Sequence, residues 1–140
     1  MSTLDKAIKI ASDAFLGVYD NGGHPYIMHC IRVMNQLDAN DSELQQIAIL
    51  HDIIEDTDIT LQDLAQMGFS GRVLTAINFL THKKEDSYDT YIKLISTNKD
   101  AKRVKIADLI DNSNITRLKG LRKKDYDRLE KYHKAYLLKD

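Results

Sequence analysis

The chain has 140 residues, 43% of them hydrophobic and 29% charged, a mixture that suits a globular protein and excludes a disordered one. Twenty basic and 21 acidic residues leave a net charge of −1, which excludes a global field toward nucleic acid or membrane and leaves only a local basic patch open. One cysteine, Cys30, excludes an internal disulfide and fits a reducing compartment. Residues 1–6 show no leader pattern, and no apolar run approaches the roughly 18 residues of a membrane helix. The expectation is a single cytoplasmic domain, residues 1–140, burying about 70% of its unfolded surface.

One proline, six glycines and no stretch of period-two alternation predict an all-α bundle. A first helix is predicted over 3–16, with Leu4, Ala7, Ile8, Ala11 and Phe15 on one face. Asp20-Asn21-Gly22-Gly23 reads as a loop. Pro25 suits the first turn of a second helix that carries Tyr26, Ile27, Cys30, Val33, Met34 and Leu37 inward with His29 beside them. A third helix is predicted from 42 to about 58, opened by a capping box of Ser42 and Gln45. Shorter helices follow over 60–66 and 71–80, then a charged loop over 81–86. A helix over 87–95 runs through Tyr88, Tyr91 and Leu94, a long one covers 101–118, and a last one covers 124–138.

The third helix draws attention because its apolar stripe of Leu44, Ile47 and Ala48 continues into His51 and Glu55. Titratable groups in core-facing places need a compensating charge, and a metal cation is the simplest. His51 and Asp52 are adjacent, about 100° apart on a helix, and can share a cation lying between them. Imidazole and carboxylate donors together suit Mn, Fe, Zn or a similar divalent metal. His29 and Asp108 are further inward-facing candidates, the latter interrupting the apolar run around Val104, Ile106 and Ala107. On the residues alone, His29 reads equally as a hydrogen-bonded core histidine and Asp108 as a buried salt-bridge partner. Asp52, Asp56 and Asp58 lack the glycine and ligand spacing of a calcium loop.

His29, His51-Asp52 and Asp108, in that order, resemble the H…HD…D signature of the HD-domain metal-dependent phosphohydrolases. Pro25-Tyr26-Ile27-Met28-His29 resembles the "PYIxH" segment of RelA/SpoT-type hydrolase domains and of the small alarmone hydrolases of the MESH type. Leu50 to Thr57 resembles their "LHDxxED(T)" element, and Val104 to Asp108 followed by Asn112 resembles "VKxAD…N". The resemblance implies that His29, His51, Asp52 and Asp108 ligate Mn²⁺. It further implies that Glu55 and Asp56 activate water or protonate the leaving group, and that Asn112 hydrogen-bonds substrate. The implied reaction removes the 3′-diphosphate from (p)ppGpp as pyrophosphate.

A polyanionic nucleotide needs cations. Lys83, Lys84, Lys105, Arg117 and Arg128 are candidates, each also readable as a solvated charge. Tyr132 matches an aromatic pocket position of the relatives, or is a core tyrosine. The sequence departs from the resembled family in the loop before Pro25, which lacks the usual Arg and Lys and offers Asp20 and His24 instead. Alternatives therefore stand beside the leading one: an HD hydrolase for another nucleotide or a 3′-pyrophosphorylated RNA end, or a degenerate domain that binds a nucleotide without turnover.

Overall fold

The computed structural model describes residues 2–137. It is built from α1 (Leu4–Ala14), α2 (Ile27–Asn35), α3 (Ser42–Leu50), α4 (Ile53–Asp56), α5 (Leu61–Gln66), α6 (Gly71–Leu80), α7 (Tyr88–Ile95), α8 (Lys99–Asn112) and α9 (Lys123–Leu137), with a 3₁₀ turn at Ile115–Arg117. Among the described residues there is no strand, only an isolated bridge between Tyr19 and Pro25. No helix among them is long and apolar enough to cross a membrane.

The bundle forms around α3. Every residue from Leu44 to Leu50 is buried, and the helix packs against α1, α2, α6 and α8. A helix buried on all sides, Gln45 and Gln46 included, has no solvent face along this run, so its neighbours must supply one buried stripe each. Ala7 and Ala11 do so from α1, Cys30 and Val33 from α2, Val73, Ala76 and Ile77 from α6, and Val104 and Ala107 from α8. The small residues let the helix axes approach closely. The α9 helix covers the outer face of α8.

Helix starts follow side-chain capping. Thr60 and Asp63 form a reciprocal capping box, and Ser70, Ser87 and Asn98 cap α6, α7 and α8. At α3 the cap is Asp41, whose carboxylate accepts the Leu44 N–H at 3.1 Å, and not the expected Ser42–Gln45 pair. Arg72 joins this cap to Asp100 near the start of α8, at 2.8 Å from Asp41 Oδ2 and 2.9 Å from Asp100 Oδ2.

Four other expectations are corrected. The third helix is two: α3 ends at Leu50, and Asp52 takes φ −103° and ψ 0°, which turns the chain before α4. The helix expected to reach residue 118 stops at Asn112, and Asn114 then caps the 3₁₀ turn. Pro25 precedes α2 in the bridge to Tyr19, because Asp20 closes the loop by accepting the N–H groups of Gly22 and His24. Helix α7 buries Tyr91, Ile92 and Ile95, leaving Leu94 45% exposed. The last helix was expected to reach residue 138, which lies outside the described residues.

Candidate metal centre and nucleotide cavity

The break after α3 builds the site. On one continuous helix His51 and Asp52 would diverge; at the turn they converge, with His51 Nε2 3.0 Å from Asp52 Oδ2. The His51 Nδ1–H donates to the Ala48 carbonyl at 2.6 Å, which fixes the tautomer of the neutral ring and turns Nε2 toward the cluster. Helix α2 contributes His29 and α8 contributes Asp108. His51 Nε2 lies 3.2 Å from Asp108 Oδ1, and His29 Nε2 lies 3.0 Å from the same oxygen and 3.7 Å from Asp52 Oδ2.

One donor atom from each of His29, His51, Asp52 and Asp108 lies within 4.8 Å of the other three. His29, His51 and Asp108 are 2–3% exposed. His29 Nε2 is buried without an aligned hydrogen-bond partner although Asp108 is close, as expected of an atom whose lone pair is aimed at a shared point. Two imidazoles and two carboxylates converging in this way could hold a borderline divalent cation. The electrostatics agree. Burial opposes charge on Asp108, but Lys105 and His51 outweigh it and hold the carboxyl well below its usual range. Burial also opposes protonation of His51, and the Asp52 and Asp108 carboxylates overcome it. The pocket thus calls for positive charge at its centre.

Four further groups surround the cluster. Asn112 Nδ2 donates to Asp108 Oδ1 at 3.0 Å, and Lys105 Nζ donates to Asp108 Oδ2 at 2.9 Å. Glu55 and Asp56 stand at the solvent edge on α4, where Glu55 accepts the His82 backbone N–H. Desolvation, then the neighbouring Asp52, raises the Glu55 carboxyl despite that hydrogen bond. Desolvation with Asp52 and Glu55 pushes Asp56 up to about 6.

A cavity of about 190 Å³ opens on His29 and is walled by Tyr19, Asp20, Gly22, Tyr26, Asn112, Ile115, Arg117, Leu118, Arg128, Leu129 and Tyr132 among others. Of the expected substrate residues, Asn112, Arg128 and Tyr132 line it, and so does Arg117. Arg128 pairs with the buried Asp125 at 3.2 Å and Arg117 with Asp20 at 2.9 Å. Lys83 and Lys84 are exposed and outside the lining, and His24 is exposed at the loop. Lys105 is the clear departure: its side chain is only 14% exposed and its ammonium is committed to Asp108.

Two functional neighbours were not anticipated. Tyr26, read as a core residue, donates its hydroxyl to Asp52. Asp111, buried beneath His29, was passed over. Its spacing of three from Asp108 puts both acids on one face of α8, the signal that could have found it.

A helical bundle that brings a His, a His-Asp pair and an Asp together in this order is an HD-type domain. No family model matches the chain. Its relatives are SpoT-type proteins: it is 32% identical over 130 residues to the bifunctional (p)ppGpp synthase/hydrolase SpoT of Escherichia coli K12, covering 84% of this chain and 18% of that one. Similarity extends to proteins named guanosine-3′,5′-bis(diphosphate) 3′-pyrophosphohydrolase, at 30% over 137 residues in Borreliella burgdorferi (90% of this chain) and 39% over 66 residues in Vibrio cholerae (46%). The chain spans only 9–20% of the length of these curated relatives. A solved structure of a metazoan ortholog of SpoT that hydrolyzes ppGpp superposes with a TM-score of 0.78 at 22% identity, over 97% of this chain and 84% of that one, and shares its fold.

Proposed function

We propose that this domain is a cytoplasmic, Mn²⁺-dependent pyrophosphohydrolase that removes the 3′-diphosphate from (p)ppGpp or a close analogue. The observation that carries the reading is the convergence of His29, His51, Asp52 and Asp108 beside a cavity lined by Asn112, Arg117, Arg128 and Tyr132. The names of the SpoT-type relatives support the substrate class.

In this reading the four side chains hold the metal, which supplies Lewis acidity toward a phosphoryl oxygen and a more acidic bound water. Asp56, at the edge of α4 with its carboxyl pushed up to about 6, holds or delivers a proton near neutral pH, and Glu55, its carboxyl raised by desolvation, stands beside it. The Asn112 amide, anchored on Asp108, orients the nucleotide. Tyr132 offers a ring face to the base, and Arg128 offers N–H donors to phosphate. Lys105 keeps Asp108 ionised instead of meeting substrate.

A second reading, hydrolysis of an adenosine alarmone or a 3′-pyrophosphorylated RNA end, is favoured by the loop before Pro25, where Asp20 pairs with Arg117. A screen of purified protein with Mn²⁺ against ppGpp, pppGpp, ppApp and 3′-pyrophosphorylated tRNA decides between them by the substrate that releases pyrophosphate fastest. Metal binding without turnover of any of these rejects both readings and leaves a hydrolase for another nucleotide or a nucleotide-binding domain without turnover.

A further inference from the structure

Asp111 lies under the metal cluster without being part of it. It is 6% exposed, and its carboxylate accepts the His29 Nδ1–H at 2.6 Å. An ionised carboxylate cannot donate, so Nδ1 carries the proton, and in the neutral ring that a cation requires Nε2, on the cluster side, is the lone pair. Arg32 grips both oxygens, with Nε at 2.7 Å from Oδ1 and Nη2 at 3.1 Å from Oδ2.

Arg117 closes the other side. Its Nη2 donates to the Asp111 backbone carbonyl at 3.0 Å and its Nη1 to Asp20 Oδ2 at 2.9 Å. A chain of paired groups therefore runs from the loop before Pro25, through Arg117 and Asp111, to His29. Three arms of this network come from segments far apart in sequence, so it does not follow from the local needs of α8.

We infer that Asp111 is a positioning residue for the metal centre: held by Arg32 and Arg117, it fixes the tautomer and ring orientation of His29 so that Nε2 is presented to the cation. This rests on the metal-site reading above. Carboxylates that orient a ligating histidine typically contribute about 10–100-fold to metal affinity. The effect passes through His29, so Asp111 touches neither metal nor substrate.

The test is the Mn²⁺ dissociation constant of the full chain, measured by calorimetry on the wild type, Asp111→Asn and Asp111→Glu. Asp41→Asn serves as a comparison that weakens a helix cap away from the cluster. The expected result is a rise of about 10–100-fold for Asp111→Asn, partial recovery for Asp111→Glu, and no change for Asp41→Asn. Nitrogen-15 spectra of the protein loaded with diamagnetic Cd²⁺ should show a protected His29 Nδ1 proton in the wild type that exchanges faster in Asp111→Asn. Should Asp111→Asn fail to fold, Arg32→Gln, at a partly exposed side chain, is expected to weaken Mn²⁺ several-fold with the melting profile retained. Wild-type Mn²⁺ affinity in a folded Asp111→Asn or Arg32→Gln protein overturns the inference. Absence of metal binding by the wild type overturns the metal-site reading itself, and this inference with it.

Discussion

Tyr26, at the entrance to α2, donates its hydroxyl hydrogen to Asp52 Oδ2 at 2.5 Å, linking the loop before Pro25 to the turn that breaks α3 from α4. The ring also packs against Phe15 and His29, with centroids 5.0 and 5.3 Å away. Tyr26→Phe keeps that packing and removes only the donor. A hydrogen bond to a charged group is worth about 1.5–3 kcal/mol, so the variant should fold and lose stability in that range. Urea denaturation of the metal-free protein checks this, and an unchanged midpoint would show that the bond contributes nothing.

Lys105 is expected to be structural before it is anything else. Its ammonium pairs with Asp108 at 2.9 Å and sits 5.2 Å from the Tyr91 ring centroid. Lys105→Met leaves a buried carboxylate without this partner, which costs about 3–5 kcal/mol. The metal-free variant should melt well below the wild type, and saturating Mn²⁺ should restore part of the difference by supplying positive charge to Asp108. Equal melting temperatures without metal would contradict the assignment.

Asp56 carries a pH prediction. Its folded pKa is raised to about 6, so between the ordinary carboxylate range and that value the folded state binds more protons than the unfolded one. Stability contributed by the protonated form is present at low pH and lost as pH rises through about 6. Asp56→Asn should therefore match the wild type at about pH 4 and exceed it at about pH 7. Because the side chain is exposed, screening limits the gain to on the order of 1 kcal/mol. Denaturant midpoints of the metal-stripped proteins at both pH values measure it, and a pH-independent difference would refute it.

Gly22 tests the cavity wall. A Cβ there would lie 2.7 Å from the Arg117 carbonyl oxygen, a backbone atom that cannot swing away. Gly22→Ala should push the loop off the 3₁₀ turn, disturbing the Asp20–Arg117 pair, and raise KM several-fold with kcat little changed. A KM equal to that of the wild type would show that the loop does not shape the cavity.

Much of the bundle was legible because helical periodicity is a local signal. The stripe of Ala7, Ala11 and Phe15 needed no tertiary information, whereas the cap read at Ser42 and Gln45 gave way to Asp41. The inward placement of His29, His51 and Asp108 was also readable, since a polar residue in an apolar stripe stands out. The break after Leu50 was not. No glycine or proline marks it, and the turn is held by long-range partners, Tyr26 on Asp52 and Asp108 on His51. The burial of Lys105 against its partner Asp108 was unreadable for the same reason, because a lysine's burial is set by packing and not by its neighbours in sequence. Asp111 was hidden by its place in the last turn of a helix, beside Asn112, where polar residues are ordinary.

Four converging side chains that hold a metal would make this cavity a pyrophosphohydrolase site. Pyrophosphate release from ppGpp, with and without Mn²⁺, by the wild type and by Asp52→Ala whose far-ultraviolet dichroism confirms the fold, tests this. The expected result is Mn²⁺-dependent release by the wild type, abolished by a chelator, and none by Asp52→Ala. Release by folded Asp52→Ala at the wild-type rate, or release indifferent to metal, would contradict it.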